Sequence, residues 1–189
     1  MNLYVALLHG VNVGGSNLIR MPALKACFEA QGHRDVLTYI QSGNVLFKAG
    51  RSNQLALTRQ IEKALSKTFA YESRVVVRSL EQMKAIVEGA PKGFGGRPAA
   101  FRYDVFFLKD PLTADEAIRS VPVNPEVDRV FAGDGVLYAS RLVSKAAQSR
   151  LSRIAGKPEY KNMTIRNWNT TGKLLEMMVN ETTRKSSRA

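Results

Sequence analysis

Residues 3–8, LYVALL, form an uninterrupted apolar run, and the polar, glycine-rich stretch HGVNVGGSN follows at residues 9–17. A short run of this kind, bounded by turn residues, predicts a buried strand. MPALKACFEAQG predicts a helix, with Pro22 in its first turn and Gly32 past its end. DVLTYIQ and NVLFKA, joined through Ser42-Gly43, predict a hairpin. Apolar residues at 55, 57, 61, 64, 65 and 69 recur at helical spacing, and SRVVVRS returns to a strand. The order to this point is β-α-β-β-α-β, and the short helix LEQMKAIVEGA closes residues 1–90.

Residues 91–100 begin PKGFGGRP and read as a Gly/Pro-rich linker. The same order then repeats over residues 101–180. YDVFFLKD predicts a strand, and TADEAIRSV a helix with Thr113 as N-cap and Glu116 at the capping-box position. DRVFAG and VLYASR predict strands around Asp134-Gly135, SKAAQSRLSRIAG a helix from Ser144 to Gly156, and NMTIRN a strand. TTGKLLEMMVN predicts a closing helix, and residues 181–189 a polar, basic tail. Two copies of one order imply a duplication. The expected fold class is α+β: two tandem ferredoxin-like (alpha-beta plait) subdomains with a C-terminal helix, each sheet antiparallel in the order 4-1-3-2.

That topology predicts a site. The end of strand one and the turn between strands two and three lie at the same edge of a plait. Asn12, Gly14, Gly15, Asn17 and Arg20 are then expected beside Gln41, Ser42 and Asn44. Consecutive backbone N–H groups in glycine turns form nests for anions, so this is a candidate ligand-binding rim. Its spacing is neither a dinucleotide-binding fingerprint nor a P-loop. The competing reading is structural: glycine and asparagine tolerate positive φ, and their side chains stitch a loop to its neighbour.

Charge adds a second candidate. The net charge is +12, and residues 141–166 carry seven cations against one acid, half of that excess. Lys145, Arg150, Arg153, Lys157 and Lys161 form the expected nucleic-acid surface, with 150, 153 and 157 at helical spacing. The single cysteine, Cys27, excludes an internal disulfide and suits a reducing compartment, where it reads as a small core residue. No signal peptide or membrane span is recognised. The expectation is a soluble, cytoplasmic protein with no membrane partner, no cofactor and no metal. Oligomeric state is left open, with a monomer favoured.

YVALLHGVNVGGSN, TYIQSGNVLF and TIRNWNTTGKLLEM together resemble an uncharacterised bacterial family known as domain of unknown function 1697. The resemblance implies two plait-like subdomains. Members of that family usually carry Arg directly before Gly10, where this chain has His9. If that cation holds an anion, the resemblance implies weakened or pH-dependent binding here, because imidazole is only partly charged near neutrality.

The closing motif IRNWNT, residues 165–170, joins the last strand to the last helix. Its structural reading is a capped helix with the sole tryptophan, Trp168, packed in place. Its functional reading puts Arg166, Trp168, Asn169 and Lys173 on a cleft wall, the cations for phosphate or carboxylate and the indole for stacking. With two histidines and one cysteine there is no zinc-like cluster. Asp115-Glu116 and Glu126-Asp128 read as solvated surface carboxylates, and a Ser42–His9 dyad is the one conceivable nucleophile pair. The expected function is a binding module for a phosphate-bearing ligand, nucleotide or RNA. The alternatives are a small enzyme acting on a polar substrate at the same loops, or a structural or interaction protein whose motifs only hold the fold.

Overall fold

The structure, a computed structural model, describes residues 1–12, 18–50 and 53–186, the last three by backbone alone. The chain divides into two compact units, Met1–Met83 together with the chain from Lys173, and Lys84–Gly172. Composition had placed the division at residues 91–100 and the closing helix with the second half.

The first unit contains β1 (Asn2–Leu8), α1 (Met21–Glu29), β2 (Arg34–Tyr39), β3 (Asn44–Ala49), α2 (Gln54–Phe69) and β4 (Val75–Ser79). Its sheet runs β2-β3-β1-β4 with every neighbouring pair antiparallel, the expected plait order. Tyr4, Ala6 and Leu8 on one face of β1 pack with Val45 and Phe47 of β3 against Leu24 and Phe28 of α1 and Leu57, Ile61 and Leu65 of α2. Val5 and Leu7, on the other face, are fully buried as well, which is why β1 reads as a continuous apolar run and not as an alternating one. Asn53 caps α2 by accepting from Leu55 and Ala56 N–H. Cys27 is a buried free thiol, as its helix position predicts.

His33 is buried between the rings of Phe28 and Phe47, and its Nε2 has no hydrogen-bond partner. Burial holds its imidazole below the usual 6.5. The unfolded chain therefore binds this proton more readily than the folded one. Stability is complete above the usual value, and falls as pH drops through 6.5 toward the lowered folded value. The loss is at most about 1.4 kcal/mol per pH unit for one proton. Melting curves between about pH 7.5 and 5 are expected to decline less steeply for His33→Phe than for the parent chain. Equal slopes would contradict this.

The second unit contains β5 (Phe101–Leu108), α4 (Ala114–Ser120), β6 (Asp128–Gly133), β7 (Val136–Leu142) and β8 (Met163–Asn167). Its sheet, β6-β7-β5-β8, repeats the first topology. The capping box forms as read: Thr113 Oγ1 accepts from Glu116 N–H, and the Glu116 carboxylate accepts from Thr113 N–H. α3 (Leu80–Glu88) and α5 (Trp168–Ser186) each run across the division between the units.

The second crossover differs from expectation. In place of one helix from Ser144 to Gly156, the chain makes three 3-10 turns, Val143–Gln148, Leu151–Gly156 and Pro158–Asn162. Two breaks explain it. Ser149 is extended (ψ 142°) and its Oγ accepts from Leu151 N–H, a local bond that competes with helix. Lys157 is extended ahead of Pro158, as a residue before proline prefers. Asp128 completes the arrangement. Its Oδ2 accepts from Arg150 N–H and Asn124 N–H, both at 2.9 Å. Asp128 is thus buried at 2 % exposure and not a solvated surface carboxylate, unlike exposed Asp115, Glu116 and Glu126. Leu151 and Ile154 still reach the sheet, packing on Phe106, Leu137 and Ala139 where a helix would have.

Candidate functional site

The opening rim forms partly as the topology requires. Leu8 N–H donates to Gly43 O at 2.9 Å, and a Cβ added to Gly43 (φ +70°) would lie 2.8 Å from Leu8 Cβ, so the two loops touch. Asn12 (φ +55°) is held by its own surroundings: Nδ2 donates to Ile19 O and Gln41 O, and Oδ1 accepts from Ile19 N–H. Asn44 is fully buried, donating from Nδ2 to Tyr39 O and Ser42 Oγ. Asn12 stitches the loop to the hairpin through Gln41 O, and Asn44 ties the hairpin's own turn through Tyr39 and Ser42. Arg20 and Gln41 are exposed, and Ser42 is half-buried. Gly14, Gly15 and Asn17 lie outside the described residues.

The closing motif divides. Alternation along β8 puts Arg166 with Thr164, on the face opposite Asn167. Arg166 is buried, not on a cleft wall, and donates from Nη1 to Thr164 Oγ1 and Ile165 O. Burial draws its guanidinium down to about 10, with Tyr160 acting in the opposite direction. Lys173 is exposed, belongs with the first unit and pairs with Glu176 at 2.7 Å. Asn167 caps α5, its Oδ1 accepting from Thr170 N–H at 2.7 Å, and so presents Trp168 and Asn169 as the first residues of that helix.

Trp168 and Asn169 line a cavity of about 250 Å³ in the second unit, together with Arg102, Asp104, Arg141 and Asn167. Pro98, Phe101 and Tyr103 complete its wall. Sequence reasoning about site residues missed Arg102, Asp104 and Arg141. Strand register brings them together. Arg102 and Asp104 sit two apart on the face of β5 that also bears Phe106, Arg102 is directly opposite Arg141 on β7, and Asp104 is opposite Asn167 on β8. Two guanidinium-bearing residues at directly facing positions repel. Arg141 Nε is buried without a hydrogen-bond partner, and among the described residues neither arginine forms an ion pair with Asp104. Burial raises the Asp104 carboxyl above its ordinary value, while Arg141 and then Arg102 pull it back.

The Gly/Pro stretch read as a linker is part of this wall. Phe94 meets Trp168 edge-on at 5.1 Å and Tyr103 at 4.9 Å. Gly95 (φ +81°) lies so close that an added Cβ would be 2.3 Å from Trp168 Nε1. A larger open groove of about 780 Å³ between α4 and the last 3-10 turn includes Arg119, Lys157 and Glu159 beside Glu116, whose carboxylate is held by the capping box. Lys145, Arg150, Arg153, Lys157 and Lys161 are all exposed, but the helical stripe expected of 150, 153 and 157 is absent because the helix is. Among the described residues no group of three or more His, Cys, Asp or Glu gathers as a metal site.

Fold and cavity together define a class: an α+β protein of two four-stranded antiparallel units, the second carrying a small polar pocket beside the N-terminus of the closing helix. The chain belongs to the family described as protein of unknown function (DUF1697), whose match covers residues 1–138. Arg102 and Asp104 fall inside that match, and Arg141, Trp168 and Asn169 beyond it. The chain is similar in structure to the conserved bacterial protein SP0830 from Streptococcus pneumoniae, with a TM-score of 0.79 and 25 % sequence identity, covering 94 % of this chain and 98 % of that one. Comparison with curated proteins gives no match.

Proposed function

We propose that the second unit binds a small phosphate-bearing ligand with a planar ring, a mononucleotide, in the cavity of Arg102, Arg141, Trp168 and Asn169. The observation that carries this reading is the facing pair of arginines, left without an ion-paired carboxylate at the rim of a cavity that also holds the chain's sole tryptophan. An anion between two guanidiniums relieves their repulsion and accepts bidentate, charge-assisted hydrogen bonds. The indole supplies a stacking face. The volume, about 250 Å³, lies just below the usual range for ligand pockets, about 300–1,000 Å³, and suits a small ligand, not a folded polynucleotide. None of Lys145, Arg150, Arg153, Lys157 and Lys161 lines it, so an RNA partner is not part of this proposal.

Trp168 makes the test direct. Titration with nucleoside monophosphates is expected to change the tryptophan fluorescence saturably. Arg141→Met, which keeps the buried stem, is expected to weaken binding by about 10- to 100-fold, the worth of one charge-assisted hydrogen-bond set. Absence of a saturable change at millimolar ligand would overturn the reading.

A further inference from the structure

We infer that the ring bound in this cavity presents two adjacent N–H donors to Asp104, which makes a guanine nucleotide the ligand. This rests on the mononucleotide reading and adds what the base must be.

Asp104 is a half-buried carboxylate that lines the cavity and makes no hydrogen bond or ion pair with any described residue. Its position explains why. Its register partner on β7 is Ala139, which has no side-chain donor, and its partner on β8 is Asn167, whose Oδ1 caps α5 and whose Nδ2 makes no hydrogen bond to the carboxylate. Arg141, two register positions further along β7, influences its charge without closing an ion pair. A half-buried carboxylate without protein donors keeps its acceptors for solvent or for a ligand in the cavity. Asp128, two strands away on β6, differs in holding two backbone N–H groups on Oδ2, although its buried Oδ1 has no hydrogen-bond partner. Asp104 thus faces the cavity with both oxygens available as acceptors.

The ligand chemistry follows from that geometry. Two carboxylate oxygens in one plane match two parallel donors on one ring edge. Guanine offers N1–H beside its exocyclic amine. Adenine and cytosine place an amine beside a bare ring-nitrogen lone pair, which an ionised carboxylate repels. Uracil places a single N–H between two carbonyl oxygens. The three contacts divide the ligand: phosphate to Arg102 and Arg141, ring face to Trp168, donor edge to Asp104. A site built to pair a polar edge discriminates strongly, because the wrong ligand leaves its buried group unpaired.

The experiment is a set of Trp168 fluorescence titrations of the full chain with GMP, IMP, AMP, guanosine and inorganic phosphate. GMP is expected to bind about 10- to 100-fold more tightly than AMP, with IMP, which keeps N1–H and lacks the amine, in between. Asp104→Asn is expected to remove most of the GMP preference while leaving inorganic phosphate binding unchanged or tighter. The IMP comparison uses the parent chain, so the inference stays testable if the variant folds poorly. Equal affinity for GMP and AMP, or a GMP preference that survives Asp104→Asn, would overturn the base assignment. If nucleotides still bind in an Arg141-dependent manner, the mononucleotide proposal stands without it. If none binds, that earlier proposal itself has failed.

Discussion

Asp128→Ala is expected to lower the melting temperature by about 6–12 °C. Asp128 Oδ2 accepts from Asn124 N–H and Arg150 N–H, and the residue is 2 % exposed. Removing the carboxylate leaves two backbone donors without a partner, at about 1–3 kcal/mol each, or about 3 kcal/mol together. For a chain of this length about 1 kcal/mol shifts the midpoint by about 2–4 °C. The loss also has a place. Arg150 opens the second 3-10 turn, so the segment carrying Leu151 and Ile154 onto the sheet is released first. Asp128→Asn retains an acceptor oxygen and is expected to cost less than half as much. Thermal melting followed by circular dichroism measures both, and an alanine variant within about 2 °C of the parent would refute the assignment.

Gly95→Ala is expected to disrupt the cavity without substituting any residue that lines it. The backbone there is left-handed (φ +81°), and the added Cβ would fall 2.3 Å from Trp168 Nε1 and 2.4 Å from Cδ1. The indole must shift from its place against Phe94 to clear the added Cβ. The expected result is a shifted tryptophan emission and a loss of nucleotide affinity of about tenfold or more, with about 2 kcal/mol of destabilisation. Gly93→Ala is the matched control. Its φ is +79°, yet an added Cβ meets nothing within 4 Å, so it incurs the backbone cost alone and keeps Trp168 in position. Identical emission and affinity in the two variants would show that Gly95 does not position the ring.

How far the candidate site could be read from the sequence differs between its two halves. At the opening loop, Asn12 and Asn44 were recognisable as hydrogen-bonding residues at a predicted sheet edge, and the edge formed. Whether their donors were open to a ligand depended on Ile19, Tyr39 and Gln41, and these carbonyls occupy them. At the closing motif, Trp168 and Asn169 were singled out and do line the cavity, whereas Arg166 faces away and Lys173 pairs with Glu176. The cations that replace them, Arg102 and Arg141, are far apart in sequence, one near the start of β5 and the other near the end of β7. Only their register, Phe101 opposite Leu142 and Arg102 opposite Arg141, places them face to face. The signal available beforehand was weak: an Arg-x-Asp on a strand otherwise rich in aromatic and apolar residues.

The sequence by itself determined what depends on neighbouring residues: the apolar run that makes β1, the hairpins at Ser42-Gly43 and Asp134-Gly135, the capping box of α4, and the duplicated order that specifies two antiparallel plaits. The run, the hairpins and the capping box follow from backbone preferences and side-chain spacing within about a dozen residues, and they formed; the repeated strand order formed as well, with 3-10 turns in place of the second unit's second helix. Only the tertiary structure decided the second crossover and the pocket. A carboxylate 22 residues before Arg150 captured a backbone N–H that a helix would have used, and strand register set two arginines, an aspartate and a tryptophan around one space. Those outcomes turn on which distant donor meets which acceptor, and sequence spacing carries no term for that.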